Sequence, residues 1–373
     1  MMKILFAATV DIHIINHHLR IIHELHEQGN LIDVAANGTY TNDDIHQKYN
    51  VCFSKSPTSL DNLKAYRFMK QLLKKEDYDI ISTHTPLASF FTRMAAEGLR
   101  TKVIYTAHGF HFYQGAPLKN QLIYRNMERL AAHHTDRLVT INQEDYEAAQ
   151  KFHYRPGGHA VYIPGVGVDL SRIEAARTDR RVIRKRLGLP EEAFVMISVG
   201  ELNQNKNHLF VMNALQKELR EDPMLYYVIC GTDLWHGTYA EKIKELGLEG
   251  KVMLLGYRND IYELLYGMDL FLCPSFREGL PVCVIEAMAA GVPVIASDVR
   301  GNHDLIESGA DGYLYPVNDA ELFREEYHTL CRDPAMREAF IRNAEQRAHQ
   351  YSKETIDPMI LELYEELKPK HND

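Results

Sequence analysis

Short apolar runs alternate with longer amphipathic stretches along the whole chain. In the first half the apolar runs predict strands at Lys3–Ala8, Leu31–Ala36, Ile80–Thr83, Lys102–Thr106, Arg137–Ile141 and Ala160–Ile163, with helices near 14–28, 60–75, 86–98, 117–133 and 143–152. In the second half strands fit Phe194–Val199, Tyr226–Cys230, Val252–Leu255, Leu270–Cys273, Pro293–Ala296 and Tyr313–Tyr315. Helices fit near 207–220, 238–247, 259–267, 282–290, 302–308 and 319–331, and residues 335–368 are helical in pattern. Strand–helix alternation of this kind predicts parallel sheets covered by helices on both faces. Two such sets predict an α/β chain of two doubly wound, Rossmann-like domains, with ligands beyond the C-terminal ends of the strands. The glycine-rich Pro164–Asp169 follows an apolar strand and marks the join. It divides the chain into residues 1–165, 166–350 and a terminal segment, 351–373.

Five strand-to-helix loops concentrate polar chemistry. The first lies in Pro274–Ser297, PSFREGLPVCVIEAMAAGVPVIAS, where Glu278 and Glu286 stand eight positions apart. Gly279 and Pro281 predict a turn into a helix, so Glu278 falls in a loop and Glu286 on the first helical turns. Two hydroxyl-binding carboxylates around a helix N-terminus suit an anionic ligand that carries sugars. In Ser198–Asn207, SVGELNQNKN, a strand ends at Gly200 and Lys206 falls beside the next helix N-terminus. A lysine and free amides together neutralise a diphosphate without a metal, although Lys206 alone reads equally as a solvated loop lysine. Gly256–Asp260, GYRND, opens a further helix, and an ordinary turn with Asn259 as its N-cap predicts the same residues. Thr106–Tyr113, TAHGFHFY, and Asp11–His18, DIHIINHH, follow strands in the first half. Histidines spaced through loops without a carboxylate set define no coordination shell, so no metal site is predicted.

The 274–297 run resembles the donor-site signature of the retaining glycosyltransferases of family four, which have the GT-B fold. That pattern is proline-serine, two residues, Glu-Gly, one residue, Pro, four residues, Glu-Ala, then Ala-x-Gly-x-Pro-Val-Ile-Ala-Ser, and every fixed position is present. The resemblance covers nearly the whole chain and is most specific over 256–316. It implies two Rossmann-like domains facing a central cleft, and a final helix, Thr355–Leu367, that crosses back to the first domain. It implies a UDP-sugar held by the second domain, with Gly200 and Lys206 at the diphosphate and the backbone around Tyr257 and Arg258 at the base. Glu286 would hold the ribose hydroxyls and Glu278 the donor sugar, with the backbone of Gly279, Leu280, Val282 and Cys283 close to sugar and diphosphate. His108, in a His-Gly step, matches a histidine that faces the donor sugar. His108, Lys206 and Glu278 are therefore the catalytic candidates. His111 and Tyr113 are acceptor-side candidates.

The first loop lacks the Gly-Gly pair of many relatives. It resembles a subgroup with Asp-x-His, found in capsule, exopolysaccharide and lipid-linked glycan assembly, which makes Asp11 and His13 acceptor-side candidates too. A second departure is Glu201, at the position where the family usually carries arginine, with Arg258 or Arg277 as candidates to compensate. No cofactor is implied beyond the nucleotide sugar. Retention in this family is thought to use front-face attack, with the departing diphosphate taking the acceptor's proton, so no carboxylate nucleophile is needed.

Composition narrows the setting. A chain of 373 residues, 45% hydrophobic and 25% charged, suits a globular protein of two domains. No apolar run approaches the roughly 20 residues that cross a bilayer. The N-terminal MMKILFAATVDIHII is interrupted by Asp11 and His13, which fits a buried strand better than a signal peptide. Five scattered cysteines without a CxxC pair favour reduced thiols in the cytosol. The net charge of −9 is uneven: residues 1–165 carry 18 basic and 16 acidic side chains, which leaves 24 and 35 for the rest, or +2 against −11. A more basic first half, with the amphipathic Leu60–Lys75, fits peripheral contact with an anionic membrane on its inner face. Compositional drift and an ordinary outer helix account for the same two features. No nucleic-acid partner is indicated.

The resulting expectation is a metal-independent retaining hexosyl- or N-acetylhexosaminyltransferase, moving sugar from a UDP-sugar to a glycan intermediate on a polyprenyl diphosphate. Two rivals remain: a nucleotide-sugar 2-epimerase of the same architecture, and a non-catalytic nucleotide-sugar-binding subunit.

Overall fold

A computed structural model of the chain describes residues 1–54 and 56–369, so residues 370–373 of the expected terminal segment lie outside the described residues. The chain forms two compact units. One is built from Met1–Val166 and the chain from Ile356 onward, the other from Gly167–Thr355.

The first unit runs β1 (Lys3–Val10), α1 (Asp11–His17), α2 (Leu19–Glu27), β2 (Leu31–Asn37), β3 (Gln47–Asn50), α3 (Leu60–Glu76), β4 (Ile80–His84), α4 (Pro86–Ala95), β5 (Lys102–Ala107), α5 (Leu118–Ala132), β6 (Arg137–Thr140), α6 (Gln143–Ala149) and β7 (His159–Tyr162). Its strands are parallel, in the order β3-β2-β1-β4-β5-β6-β7. Alternate residues of β1 face opposite layers. Ile4 and Phe6 join Ile14, Ile22 and Leu25 of the α1–α2 layer, whereas Leu5 and Ala7 join Met69, Leu72 and Leu73 of α3. Helix α3 thus turns most of its apolar stripe inward, while Leu60 and Leu63 stay exposed.

The second unit runs α7 (Leu170–Ala175), α8 (Arg180–Leu187), β8 (Phe194–Val199), α9 (His208–Ala214), α10 (Gln216–Glu221), β9 (Leu225–Cys230), α11 (Thr238–Glu245), β10 (Val252–Gly256), α12 (Ile261–Leu265), β11 (Leu270–Cys273), α13 (Val282–Ala289), β12 (Val294–Ser297), α14 (Asn302–Leu305), β13 (Tyr313–Tyr315), α15 (Ala320–Arg332) and α16 (Pro334–Ala348). Its parallel sheet has the order β10-β9-β8-β11-β12-β13. A final helix, α17 (Lys353–Glu366), carries the chain back into the first unit. There Ile356, Leu363 and Tyr364 are buried beside Phe6, and Arg20 and Arg137 pair with Asp357 and Glu366.

Several elements differ from the sequence pattern. The expected helix near 14–28 breaks at His18, whose φ of −127° is not helical, and the one near 207–220 breaks at Leu215, φ −108°. Strand β3, QKYN, carries no apolar run because it is the sheet edge and only partly buried. Helices α7 and α8 lie where the sequence pattern predicts no element. Asn259 is not the cap of α12: the helix starts one residue later, with Asp260 at the N-cap making no side-chain cap bond. Asp260 is instead gripped by Arg258 through two contacts of 2.8 and 2.6 Å.

Candidate functional site

In each sheet the strand order reverses direction beside the first strand of the unit, which opens a crevice at the strands' C-terminal ends. In the second unit the reversal lies between β8 and β11. The two loops leaving these strands, 200–207 and 274–281, hold Lys206 and Glu278. Lys206 Nζ lies 2.8 Å from Glu278 Oε1, with both groups mostly shielded from solvent. Burial draws the Lys206 pKa down, but the Glu278 carboxylate outweighs it, so the ammonium is held above its ordinary value.

A polar frame joins the loops. Asn205 Nδ2 donates to Arg277 O at 2.9 Å, Phe276 N donates to Asn205 O at 2.8 Å, and Asn207 Nδ2 donates to Pro274 O at 3.1 Å. Asn203 Oδ1 accepts from Lys206 N at 3.0 Å. Asn207 adopts a left-handed φ of 53°, which asparagine tolerates better than most side chains and which turns the loop into α9. Two glycines allow the backbones to meet. A Cβ on Gly231 would lie 1.9 Å from Gly200 O, and one on Gly301 would lie 2.6 Å from Gly279 O.

Helix α13 opens at Val282 behind Pro281, with no side chain capping its first amides. Those amides and the helix dipole form an anion-favouring end. Glu286 sits one turn further along. Burial raises its carboxyl from 4.5 to about 7, against a hydrogen bond from Tyr262 that lowers it. Burial likewise pushes the Cys283 thiol up and the Cys273 thiol to about 11, so neither is a ready thiolate at neutral pH. Tyr257, beyond β10, is largely exposed, with an aromatic face open to solvent. Arg258 is engaged by Asp260, and Glu201 points outward to Asn203 Nδ2 at 3.0 Å. Arg258 is therefore already committed to a carboxylate and is a poor substitute for the family arginine.

In the first unit the reversal lies between β1 and β4. His13 on α1, His18 at the α1–α2 break, His84 at the end of β4 and His108 just after β5 converge there. The His18 and His84 rings stack at 3.6 Å between centroids, and His13 meets His108 edge-on at 4.6 Å. Burial, aided by repulsion from neighbouring histidines, His17 among them, keeps all four imidazoles neutral, with His13 lowered to about 3. Asp11 stands apart from them: it accepts from Tyr40 N at 2.8 Å and pairs with Lys48 at 3.0 Å. His111 packs on Tyr124, and Tyr113 lines a separate cavity of about 370 Å³ with Gln121 and Arg125. Sequence reasoning missed His18, His84, Tyr262, Gly231 and the asparagine frame. The run NQNKN carried a signal for the frame, but nothing in sequence brings His84 to His18.

Comparison with known proteins agrees with this architecture. The family model described as glycosyl transferases group 1 matches residues 179–347, and that of glycosyltransferase family 4 matches residues 16–172. The Bacillus subtilis protein EpsD, named as a glycosyltransferase, is 36% identical over 90% of this chain and 88% of its own. The Escherichia coli UDP-Gal:α-D-GlcNAc-diphosphoundecaprenol α-1,3-galactosyltransferase is 32% identical over 76% of this chain and 74% of its own. Among solved structures, Anabaena HepE in complex with UDP and glucose has a TM-score of 0.78 at 22% identity, over 98% of this chain and 100% of that one. The matched family models and the extent of these identities show that the chain is a glycosyltransferase of family 4, with the two Rossmann-like domains of the GT-B fold.

Proposed function

We propose that this glycosyltransferase moves a sugar, with retention, from a UDP-sugar to a glycan intermediate carried on a polyprenyl diphosphate. The observation that carries the reading is the joined pair of switch-point loops, where Lys206, Glu278 and the open N-terminus of α13 meet. An ammonium and unpaired amides are what a leaving diphosphate requires as negative charge develops on it. Glu278, beside Lys206, is the hydroxyl acceptor for the donor sugar, and Glu286 the acceptor for the ribose hydroxyls. Gly200, Gly279, Leu280, Val282 and Cys283 bring backbone to the donor, and Tyr257 with Arg258 lies at the base. This donor chemistry needs no divalent metal. His108, neutral by burial, is the first unit's candidate hydrogen-bond partner for a sugar hydroxyl rather than a cation.

The lipid-linked acceptor rests on the similarity to the E. coli enzyme, whose name states such a substrate. Asp11, His13, His111 and Tyr113 remain its candidate contacts, although Lys48 competes for Asp11 and His111 faces Tyr124. Among the described residues no helix is long and apolar enough to cross a membrane. Helix α5 suits peripheral contact better than α3. It exposes Leu118, Leu122, Ile123 and Leu130 beside Lys119, Arg125 and Arg129, while its one acid, Glu128, is buried against Arg93. Exposed apolar groups among cations fit an anionic lipid surface.

The test is UDP release from a panel of UDP-sugars, with and without a polyprenyl-diphosphate-linked acceptor, before and after EDTA. Release that requires the acceptor and survives EDTA is expected. Sugar consumption without acceptor would point to the epimerase, and UDP binding without turnover to a binding subunit.

A further inference from the structure

The four converging histidines have a property that sugar transfer does not use. His13 Nε2, His18 Nε2, His84 Nδ1 and His108 Nε2 are each buried and without a hydrogen-bond partner. One ring nitrogen from each of the four histidines lies within 4.8 Å of the others. His18 and His84 are 7% and 2% exposed, so bulk solvent does not reach them. Burying polar atoms unpaired is costly, and four in one place call for a common partner. We propose that His13, His18, His84 and His108 form a binding site for one late first-row divalent metal ion, such as Zn²⁺, held by four imidazole nitrogens.

The donor set fits that class of ion. Imidazole suits zinc, copper and nickel, whereas magnesium and calcium prefer oxygen. Tetrahedral Zn–N bonds of about 2.0–2.1 Å place ligand nitrogens roughly 3.3–3.4 Å apart, so movements of about an ångström close the shell. The ring spacings agree: apart from the stacked His18–His84 pair, centroids lie 4.6 to 6.1 Å apart. Closure requires that stack to open.

His84 already has the second bond that orients a metal-bound imidazole. Its Nε2 lies 3.2 Å from Ser82 Oγ, which accepts from Tyr364 OH on α17 at 2.7 Å. With Nε2 carrying the proton toward Ser82, Nδ1 is left with its lone pair aimed into the cluster. The topology accounts for the convergence. Neighbouring strands β1, β4 and β5 each deliver a histidine-bearing segment to the same end of the sheet, and the break at His18 turns its ring inward. Four imidazoles complete a tetrahedral shell and leave no open position, which is the pattern of a structural metal site. With Nε2 bound to metal, His108 keeps only its Nδ1–H to donate to a sugar.

The experiment is a Co²⁺ titration of tag-free, EDTA-stripped full-length protein, read by visible absorption. Wild type should develop the intense ligand-field band of tetrahedral Co²⁺, saturating at one equivalent and displaced by Zn²⁺. His84→Ala and His18→Ala should each weaken binding at least tenfold with an unchanged circular dichroism spectrum. His303→Ala, at an exposed histidine, should bind as wild type. Only the pale octahedral spectrum in wild type, or undiminished affinity in folded His84→Ala and His18→Ala, would overturn the site. If both variants fail to fold, the wild-type band and stoichiometry decide. The readout involves neither UDP nor acceptor, so it stands or falls separately from the proposed transfer reaction.

Discussion

Lys206 and Glu278 make an opposed pair of predictions. Each is the other's counter-charge at 2.8 Å in a partly buried loop junction. Lys206→Ala removes the cation expected at the diphosphate and also leaves the Glu278 carboxylate facing the incoming phosphates. Loss of a charged hydrogen bond costs about 1.5–3 kcal/mol, roughly tenfold to 150-fold in UDP affinity. Glu278→Gln does the reverse. It keeps a hydrogen-bonding side chain but removes the negative charge, so Lys206 is more available to phosphate. UDP, which lacks the donor sugar, should then bind as well as to wild type or more tightly. Turnover of the UDP-sugar should fall, because the sugar loses its carboxylate partner. Calorimetry with UDP, followed by kcat/KM for the UDP-sugar, separates the two. Unchanged UDP affinity in Lys206→Ala, or a UDP affinity in Glu278→Gln that falls as far as turnover, would refute the assignment.

Gly231→Ala places a Cβ 1.9 Å from Gly200 O, so the backbone must move. Overpacking of this kind costs about 1–3 kcal/mol, and the melting temperature should drop by roughly 2–4 °C per kcal/mol; an unchanged melt would mean the loops are looser than described. Glu286, raised to about 7, holds a proton in the folded state that the unfolded chain has lost above about pH 4.5. Its contribution to stability is therefore full below that value and falls as pH rises toward 7. Ribose binding needs the ionised form, so UDP affinity should strengthen from pH 6 to 8 by an increment that Glu286→Gln abolishes; equal pH profiles would remove Glu286 from the site. Leu122→Glu with Ile123→Glu on α5 should reduce co-sedimentation with anionic vesicles, and equal recovery would leave α5 an ordinary exposed helix.

Most of the fold was legible because buried parallel strands read as apolar runs, as in β4 and β11, where every residue is buried. Strand β3 was not legible, since an edge strand is only half covered and needs no such run. The breaks at His18 and Leu215 escaped notice because both flanking segments keep a helical pattern, and only tertiary packing fixes the kink. In the candidate site, the loop position of Glu278 and the helical position of Glu286 followed from glycine and proline spacing. The ion pair between Lys206 and Glu278 could not, because 72 residues separate them and the β8–β11 adjacency is a property of the sheet. The same holds for the histidine cluster. Spacing made its members look like scattered loop residues, whereas strand order brings them to one point.

The most direct measurement of the central claim is a proton NMR time course of the reaction between the UDP-sugar that turns over and the lipid-linked acceptor. Retaining transfer predicts a new anomeric signal of the same configuration as the donor, growing in step with UDP from the first points of the course. A first-formed product of inverted configuration, or UDP that accumulates without any new glycosidic signal, would contradict it.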